Sequence, residues 1–305
     1  MKLVFAGTPQ VAVPSLTVLA DSGHEIAAVI TRADAALGRK RVLTPSPTAA
    51  ASAALGIPVI KANRLDDSAT AEIAALQPDL GVIVAYGGLV REPLLSVPRL
   101  GWINLHFSVL PRWRGAAPVQ RAVMAGDAQT GAAVFQLVAE LDAGPVFAKL
   151  TERIGRHATS GSLLETLSFS GARLLLAVVD ELAAGTIRAT DQEGEVTVAP
   201  KLSLEDAHID WAAPAGAVYN RIRGVTPEPG AFTTVNGARL KLLEVAPSYG
   251  APPQAVGVIR EIDKNVLVGT GTEPLELVTV QPAGKTEMQA IDWWRGVAAT
   301  EVVAS

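Results

Sequence analysis

The chain has 305 residues, with 26 lysines and arginines against 30 aspartates and glutamates, a formal net charge of −4 and no cysteine. This length exceeds what a single domain of about 100–200 residues uses and leaves room for a sizeable buried core. The lack of cysteine excludes disulfides, thiolate catalysis and cysteine-bound metals, and the acidic balance means that any nucleic-acid contact must be local. No apolar run approaches the ~20 residues of a bilayer span. The opening MKLVFAG reads as a strand and turn rather than a signal peptide. A cytoplasmic protein without membrane contact is expected.

From the start, short apolar runs alternate with helical stretches. Residues 2–7 read as a strand, 14–22 as a helix and 25–31 as a second strand rich in branched residues. Residues 48–55 are helical and stop at Gly56, 58–61 form a short strand, and 68–77 are helical with Ile73 and Leu76 spaced for one buried face. The run LGVIVAY at 80–86 is nearly continuous in apolar residues, as in a strand covered on both faces. Strands at 102–105 and 132–138 and a long amphipathic helix at 162–184 complete the region. The alternation predicts an α/β catalytic domain over 1–189, with a Rossmann-like, mostly parallel sheet and flanking helices.

Residues 190–206 are polar and lack a clear period, which reads as a linker. Beyond it, short strands are expected at 231–235, 239–245, 256–262, 265–268 and 275–280, with Asn236-Gly237 as a hairpin turn. Five short strands with glycine and asparagine turns predict a small barrel of the oligonucleotide-binding type over 207–305. A last helix at 287–295 would take Thr286 as its N-cap.

Chemistry concentrates in Asn104-Leu105-His106-Phe107-Ser108-Val109-Leu110-Pro111, followed by Arg112-Trp113-Arg114-Gly115. Asn104 and His106 are two apart, so they share one face at the carboxyl end of a strand, where open α/β sheets bind ligands. An amide donor can hold a developing oxyanion, and an imidazole can move protons near neutral pH. On spacing alone, His106 reads equally well as a satisfied interior histidine. Asp142, before the Gly144-Pro145 turn, is placed either to orient that histidine or to cap the backbone. The opening Ala6-Gly7-Thr8-Pro9 lacks the G-x-G-x-x-G spacing, and Pro9 removes an amide donor, which argues against a nicotinamide dehydrogenase. No zinc pattern, P-loop or nucleophile elbow is present. Gly38-Arg39-Lys40-Arg41, near Pro45-Ser46-Pro47, is expected to lack regular structure. Its cations suit either phosphate contacts or plain solvation.

The segments FAGTP, VIVAYG, INLHFSVLPRWRGAAPVQRA, LDAGPVF, TSGSL, KLSLEDAHIDW and VQPAGK together resemble the folate-dependent formyltransferases, and among them those acting on methionyl-tRNA. The resemblance runs almost end to end. It implies Asn104, His106 and Asp142 as the catalytic trio and Ser108, Val109, Leu110 and Pro111 as the lining of a 10-formyltetrahydrofolate pocket. It further implies Arg39, Lys40 and Arg41 as contacts to the acceptor end of initiator methionyl-tRNA, no metal, and a monomer. Arg112, Arg114 and Arg121 would add positive charge beside the site, and Arg221, Arg223, Arg239 and Lys241 are candidates for an RNA-facing side of the barrel. Phe107 departs from the glycine common in the family, with its side chain expected on the face opposite Asn104 and His106. Competing readings are a formyltransferase for a small amine and a catalytically silent RNA-binding module.

Overall fold

The computed structural model describes residues 1–305 apart from Arg39, and of Leu37 the backbone alone. The chain forms two compact units. One comprises Met1–Pro118, Thr130–Arg153 and Leu164–Ala199, the other Val119–Gln129, Ile154–Leu163 and Pro200–Ser305.

The first unit is built on a seven-stranded sheet in the order Val146–Arg153, Gln129–Gln136, Trp102–His106, Leu80–Val84, Lys2–Gly7, Glu25–Thr31, Val59–Lys61. The last five strands run parallel, and Trp102–His106 pairs antiparallel with Gln129–Gln136. Every residue of Leu80–Val84 is buried, as the continuous apolar run predicts for a strand covered on both faces. Helices Pro47–Ala54 and Asp67–Ala75 begin on side-chain caps. Ser46 Oγ accepts from the Ala49 amide and Asp66 Oδ1 from the Ala69 amide, both at 3.0 Å. Chain order reverses around Lys2–Gly7, which has Glu25–Thr31 on one side and Leu80–Val84 on the other. Such a switch point marks the ligand-binding edge of an open α/β sheet.

Two close approaches fix the strand that carries the chemistry. A methyl group on Gly81 would lie 2.2 Å from the Trp102 ring, so glycine admits the buried indole, whose N–H donates to the Leu94 carbonyl at 2.9 Å. On the other face, Leu105 packs against helix Ser160–Ala184 at Gly171, where a methyl would come within 3.1 Å of the leucine. By length and composition alone this helix could cross a bilayer, although its apolar residues form no unbroken run of that length. Its Leu167, Ala172, Leu175, Val178 and Val179 are buried, while Glu165, Arg173, Asp180 and Glu181 are exposed. That division is the pattern of a core-facing helix.

Around Gly38–Arg41, where no regular structure is expected, Ala35–Leu37 pairs antiparallel with Val42–Thr44 as a hairpin. Left-handed backbone at Gly38 (φ +69°) and Arg41 (φ +48°) turns the chain, and the branched and apolar residues that follow favour extension. Residues 190–199, read as a linker, add to the first unit. Thr190 exchanges backbone hydrogen bonds with Val146 at 2.9 and 2.7 Å, and Val198–Ala199 pairs in parallel with Arg114–Gly115.

The second unit is an antiparallel sheet in the order Phe232–Val235, Ala238–Pro247, Leu275–Pro282, Asn265–Val268, Val258–Ile262, Val302–Val303. Its ends meet, because Thr234 and Ser305 exchange backbone hydrogen bonds at 2.8 and 2.9 Å, and a sheet closed on itself is a barrel. Asn236 (φ +50°) and Gly237 (φ +75°) make the hairpin turn that the dipeptide predicts. Ile259, Val266, Leu277, Val280 and Trp211 fill the interior with helix Ala215–Gly224 packed on them, and the Trp211 indole donates to Thr233 Oγ1 at 3.0 Å. The last helix is Ala290–Arg295. Its N-cap position is Gln289, which makes no side-chain cap bond, so the expected Thr286 cap does not form.

Candidate active site

A cavity of about 640 Å³ opens beyond the carboxyl ends of Leu80–Val84 and Trp102–His106. Residues 85–91, 104–107 and 137–142 form most of its wall, joined by Gly115, Ala116 and Pro118. Strand alternation brings Asn104 and His106 to the same face, and the register sets Phe135 opposite Asn104 and Ala133 opposite His106. The Phe135 ring meets the imidazole edge-on at 6.3 Å. Among the described residues, the Asn104 side chain makes no hydrogen bond, leaving its amide available to a ligand.

His106 is buried, with Nε2 2.9 Å from the Trp113 carbonyl oxygen and Nδ1 3.8 Å from Asp142 Oδ2. A carbonyl only accepts, so that bond places the proton of the neutral ring on Nε2 and leaves Nδ1 as the acceptor on the carboxylate side. Burial holds the imidazole below its ordinary pKa of 6.5, and the Asp142 charge and the Trp113 carbonyl offset this in part. Neutral imidazole is therefore the resting form near pH 7.

Asp142 arrives from the loop after Gln129–Gln136. The neck of that loop is closed by the Gln136 amide donating to the Pro145 carbonyl at 2.8 Å, and by Gly144, where a methyl would lie 1.8 Å from the Gln136 carbonyl. Asp142 takes the left-handed conformation (φ +46°), which aspartate tolerates better than most residues. Its Oδ2 accepts from the Gly115 amide at 2.7 Å. Gly115 has φ +124°, a conformation open to glycine, and a methyl there would come within 2.7 Å of the Ala199 carbonyl oxygen.

The structure brings Asn104, His106 and Asp142 together, but it does not place Ser108, Val109, Leu110 or Pro111 on the cavity wall. Ser108 and Leu110 are fully buried. Ser108 Oγ donates to the Arg112 carbonyl at 2.6 Å, Leu110 packs with Ala133, Phe135 and Val146, and the Leu110 carbonyl accepts from Lys149 Nζ at 2.6 Å. These residues brace the turn that follows the histidine. Phe107 follows the strand end, is buried, and borders the cavity, as does Leu105 of the opposite strand face. The wall at 85–91 is absent from the sequence expectations. The glycine pair Gly87-Gly88 directly after an apolar strand is the signal that could have found it.

Of the cations, Lys40 and Arg41 are exposed on the hairpin, and Arg39 lies outside the described residues. Arg114 is already engaged by Gln192 and lies 3.7 Å from Glu140, and Arg112 sits 5.8 Å from the Trp113 ring. In the second unit, Arg121 is paired with Asp206 at 2.8 Å, and Arg223 is buried, donating to the Gly155 and Ala158 carbonyls. Arg223 is therefore removed as an RNA-facing candidate. Among the described residues no group of three or more His, Cys, Asp or Glu is placed to hold a metal ion.

The formyl transferase family matches residues 1–179, and the formyl transferase C-terminal domain matches 201–298. The methionyl-tRNA formyltransferase of Clavibacter sepedonicus is 60% identical over 304 residues, covering 100% of both chains. Among solved structures, a methionyl-tRNA formyltransferase from Clostridium thermocellum superposes with a TM-score of 0.59 at 16% identity, covering 82% of this chain and 95% of that one. HypX from Aquifex aeolicus in complex with tetrahydrofolic acid does so with a TM-score of 0.65 at 17% identity, covering 96% of this chain and 46% of that one. These two likenesses carry the fold. On the family match and the end-to-end identity, the chain belongs to the methionyl-tRNA formyltransferases of the formyl transferase family.

Proposed function

We propose that this protein transfers the formyl group of 10-formyltetrahydrofolate to the free amino group of methionyl-tRNA, giving formylmethionyl-tRNA for translation initiation. The observation that carries the chemistry is the convergence of an uncommitted amide, Asn104, a buried neutral imidazole, His106, and a carboxylate, Asp142, on one cavity. The volume of that cavity lies within the ~300–1,000 Å³ of small-molecule sites. Leu89 and Val90 on one wall and Leu137, Val138 and Leu141 on another offer apolar surface to a planar ring system, so the folate is assigned to these walls. Leu110, in the Ser108–Pro111 segment, packs against Leu137 of the second wall.

The α-amine attacks the formyl carbon, and the Asn104 amide donates to the oxygen as it becomes an oxyanion. His106 takes the amine proton at Nδ1, and Asp142 stabilises the resulting imidazolium. Protonated at Nδ1, the ring gains a second donor while its Nε2–H still donates to the Trp113 carbonyl. The proton then passes to the folate nitrogen as its bond to the formyl carbon breaks. Catalysis is assigned to the domain of residues 1–189, onto which residues 190–199 pack, with 207–305 as the barrel domain. Arg39, Lys40 and Arg41 are assigned to the phosphates of the acceptor end.

The test offers labelled 10-formyltetrahydrofolate with methionyl-tRNA, free methionine and small amines, including an amino-sugar nucleotide. Label should enter methionyl-tRNA alone. Faster transfer to a small amine would replace this reading with that of a small-amine formyltransferase, and no transfer to any acceptor would sink both.

A further inference from the structure

Residues 190–199 carry a side chain that takes no part in these proton transfers. Gln192 Nε2 donates to two backbone carbonyls of the catalytic loop, that of Asp142 at 2.8 Å and that of Gly144 at 2.8 Å. Its Oε1 accepts from Arg114 through Nε at 3.1 Å and Nη2 at 2.8 Å. One amide thus ties together the loop that delivers Asp142 and the strand whose Gly115 amide holds the Asp142 carboxylate. Both donor protons and the acceptor of the amide are occupied. The pinned residue is the one in left-handed backbone, where a freed loop would relax to a commoner conformation and carry the carboxylate away from His106.

We infer that Gln192 is a positioning residue for formyl transfer, acting through Asp142 by holding its backbone so that the carboxylate stays between the Gly115 amide and His106. The inference rests on the proposed function, and the wild-type acceptor assay decides that question first. Gln192 does not line the cavity, and its amide is already bonded on both sides.

Two variants separate the amide nitrogen from the bulk of the side chain. Gln192→Glu keeps the shape and a partner for Arg114 but replaces the donor by an acceptor facing two carbonyls. Gln192→Ala removes everything. Both should lower kcat by about 10–100-fold, the range for a small misplacement of a catalytic group, with KM for methionyl-tRNA and for the folate within about threefold of wild type. In an Asp142→Ala background the same changes should cost less than about twofold, because residues acting through one another are non-additive. A Gln192→Glu enzyme with wild-type kcat would overturn the inference, as would a raised KM at constant kcat or a full additional loss on top of Asp142→Ala. The background comparison is a ratio between two enzymes, so it remains decisive if one single variant melts early. A wild type that formylates no acceptor would instead count against the proposed function.

Discussion

The cavity and the basic hairpin lie in the same unit and are built on opposite terms. Around the cavity almost every polar group is assigned. His106 is held by Trp113, Asp142 by Gly115, the Asp142 loop by Gln192, and the Trp113–Gly115 stretch by residues 197–199. The hairpin turns outward, with Val42 and Leu43 more than half exposed and Lys40 and Arg41 in solvent. The difference follows from the work each must do. Stabilising a transient charge needs donors fixed before the reaction, because any reorganisation subtracts from their effect. Gripping a polyanion needs accessible cations whose counter-ions leave on binding, and close packing would defeat that.

The contrast breaks first at its rigid end. His106→Ala and Asp142→Ala should each lower kcat by about 10²–10⁴-fold, the range for a positioned proton-transfer group. Steady-state kinetics beside thermal melting makes the check, and turnover within about threefold of wild type would remove that residue from the mechanism. Gly115→Ala comes next. It forces a side chain into a φ of +124° and against the Ala199 carbonyl, so the amide that holds Asp142 must move. A fall in kcat of about 10–100-fold is expected, with a lower melting temperature. An unchanged kcat would show that the Gly115 bond is incidental.

At the exposed end, replacing Arg39, Lys40 and Arg41 together by alanine should weaken methionyl-tRNA binding most at low salt. The log–log salt slope should fall by about one for each phosphate left without its cation, with folate affinity unchanged. Identical slopes for wild type and variant would assign the hairpin to bare solvation. The smallest effect is a titration. His106 has a folded-state pKa below 6.5, so the unfolded chain takes up its proton first, and stability from this group is lost as pH falls below that value. An NMR titration of the four histidines should find one that stays neutral below pH 6.5, with Asp142→Asn lowering its midpoint further. A His106 midpoint at or above 6.5 would contradict the buried neutral ring.

Much of this was legible in the sequence, for local reasons. The apolar runs at 2–7, 25–31 and 80–86 are strands because branched and apolar residues favour a sheet covered on both faces. The pairing of Asn104 with His106 follows from a two-residue repeat that holds within a strand. The repeat ends with the strand at His106, and beyond it Ser108 and Leu110 are buried in the core and do not border the cavity. Residues 190–199 gave no signal because their structure consists of a two-residue pairing and single side-chain bonds to distant backbone, which leave no periodicity. Asp142 could be named from its family motif, but its seat depends on Gly115, Gln192 and a left-handed turn brought together only by the fold.

Asn104 offers the most direct test, because its amide holds nothing else in place. Single-turnover formyl transfer to methionyl-tRNA should be compared between wild type and Asn104→Ala, with the folate dissociation constant and melting temperature measured on the same preparations. The account predicts a rate lower by about 10²–10³-fold, the loss of one oxyanion donor, with melting temperature and folate affinity near wild type. A transfer rate within about threefold of wild type would contradict it, because the oxyanion would then be held by some other group and the cavity of Asn104, His106 and Asp142 would not be where the formyl group moves.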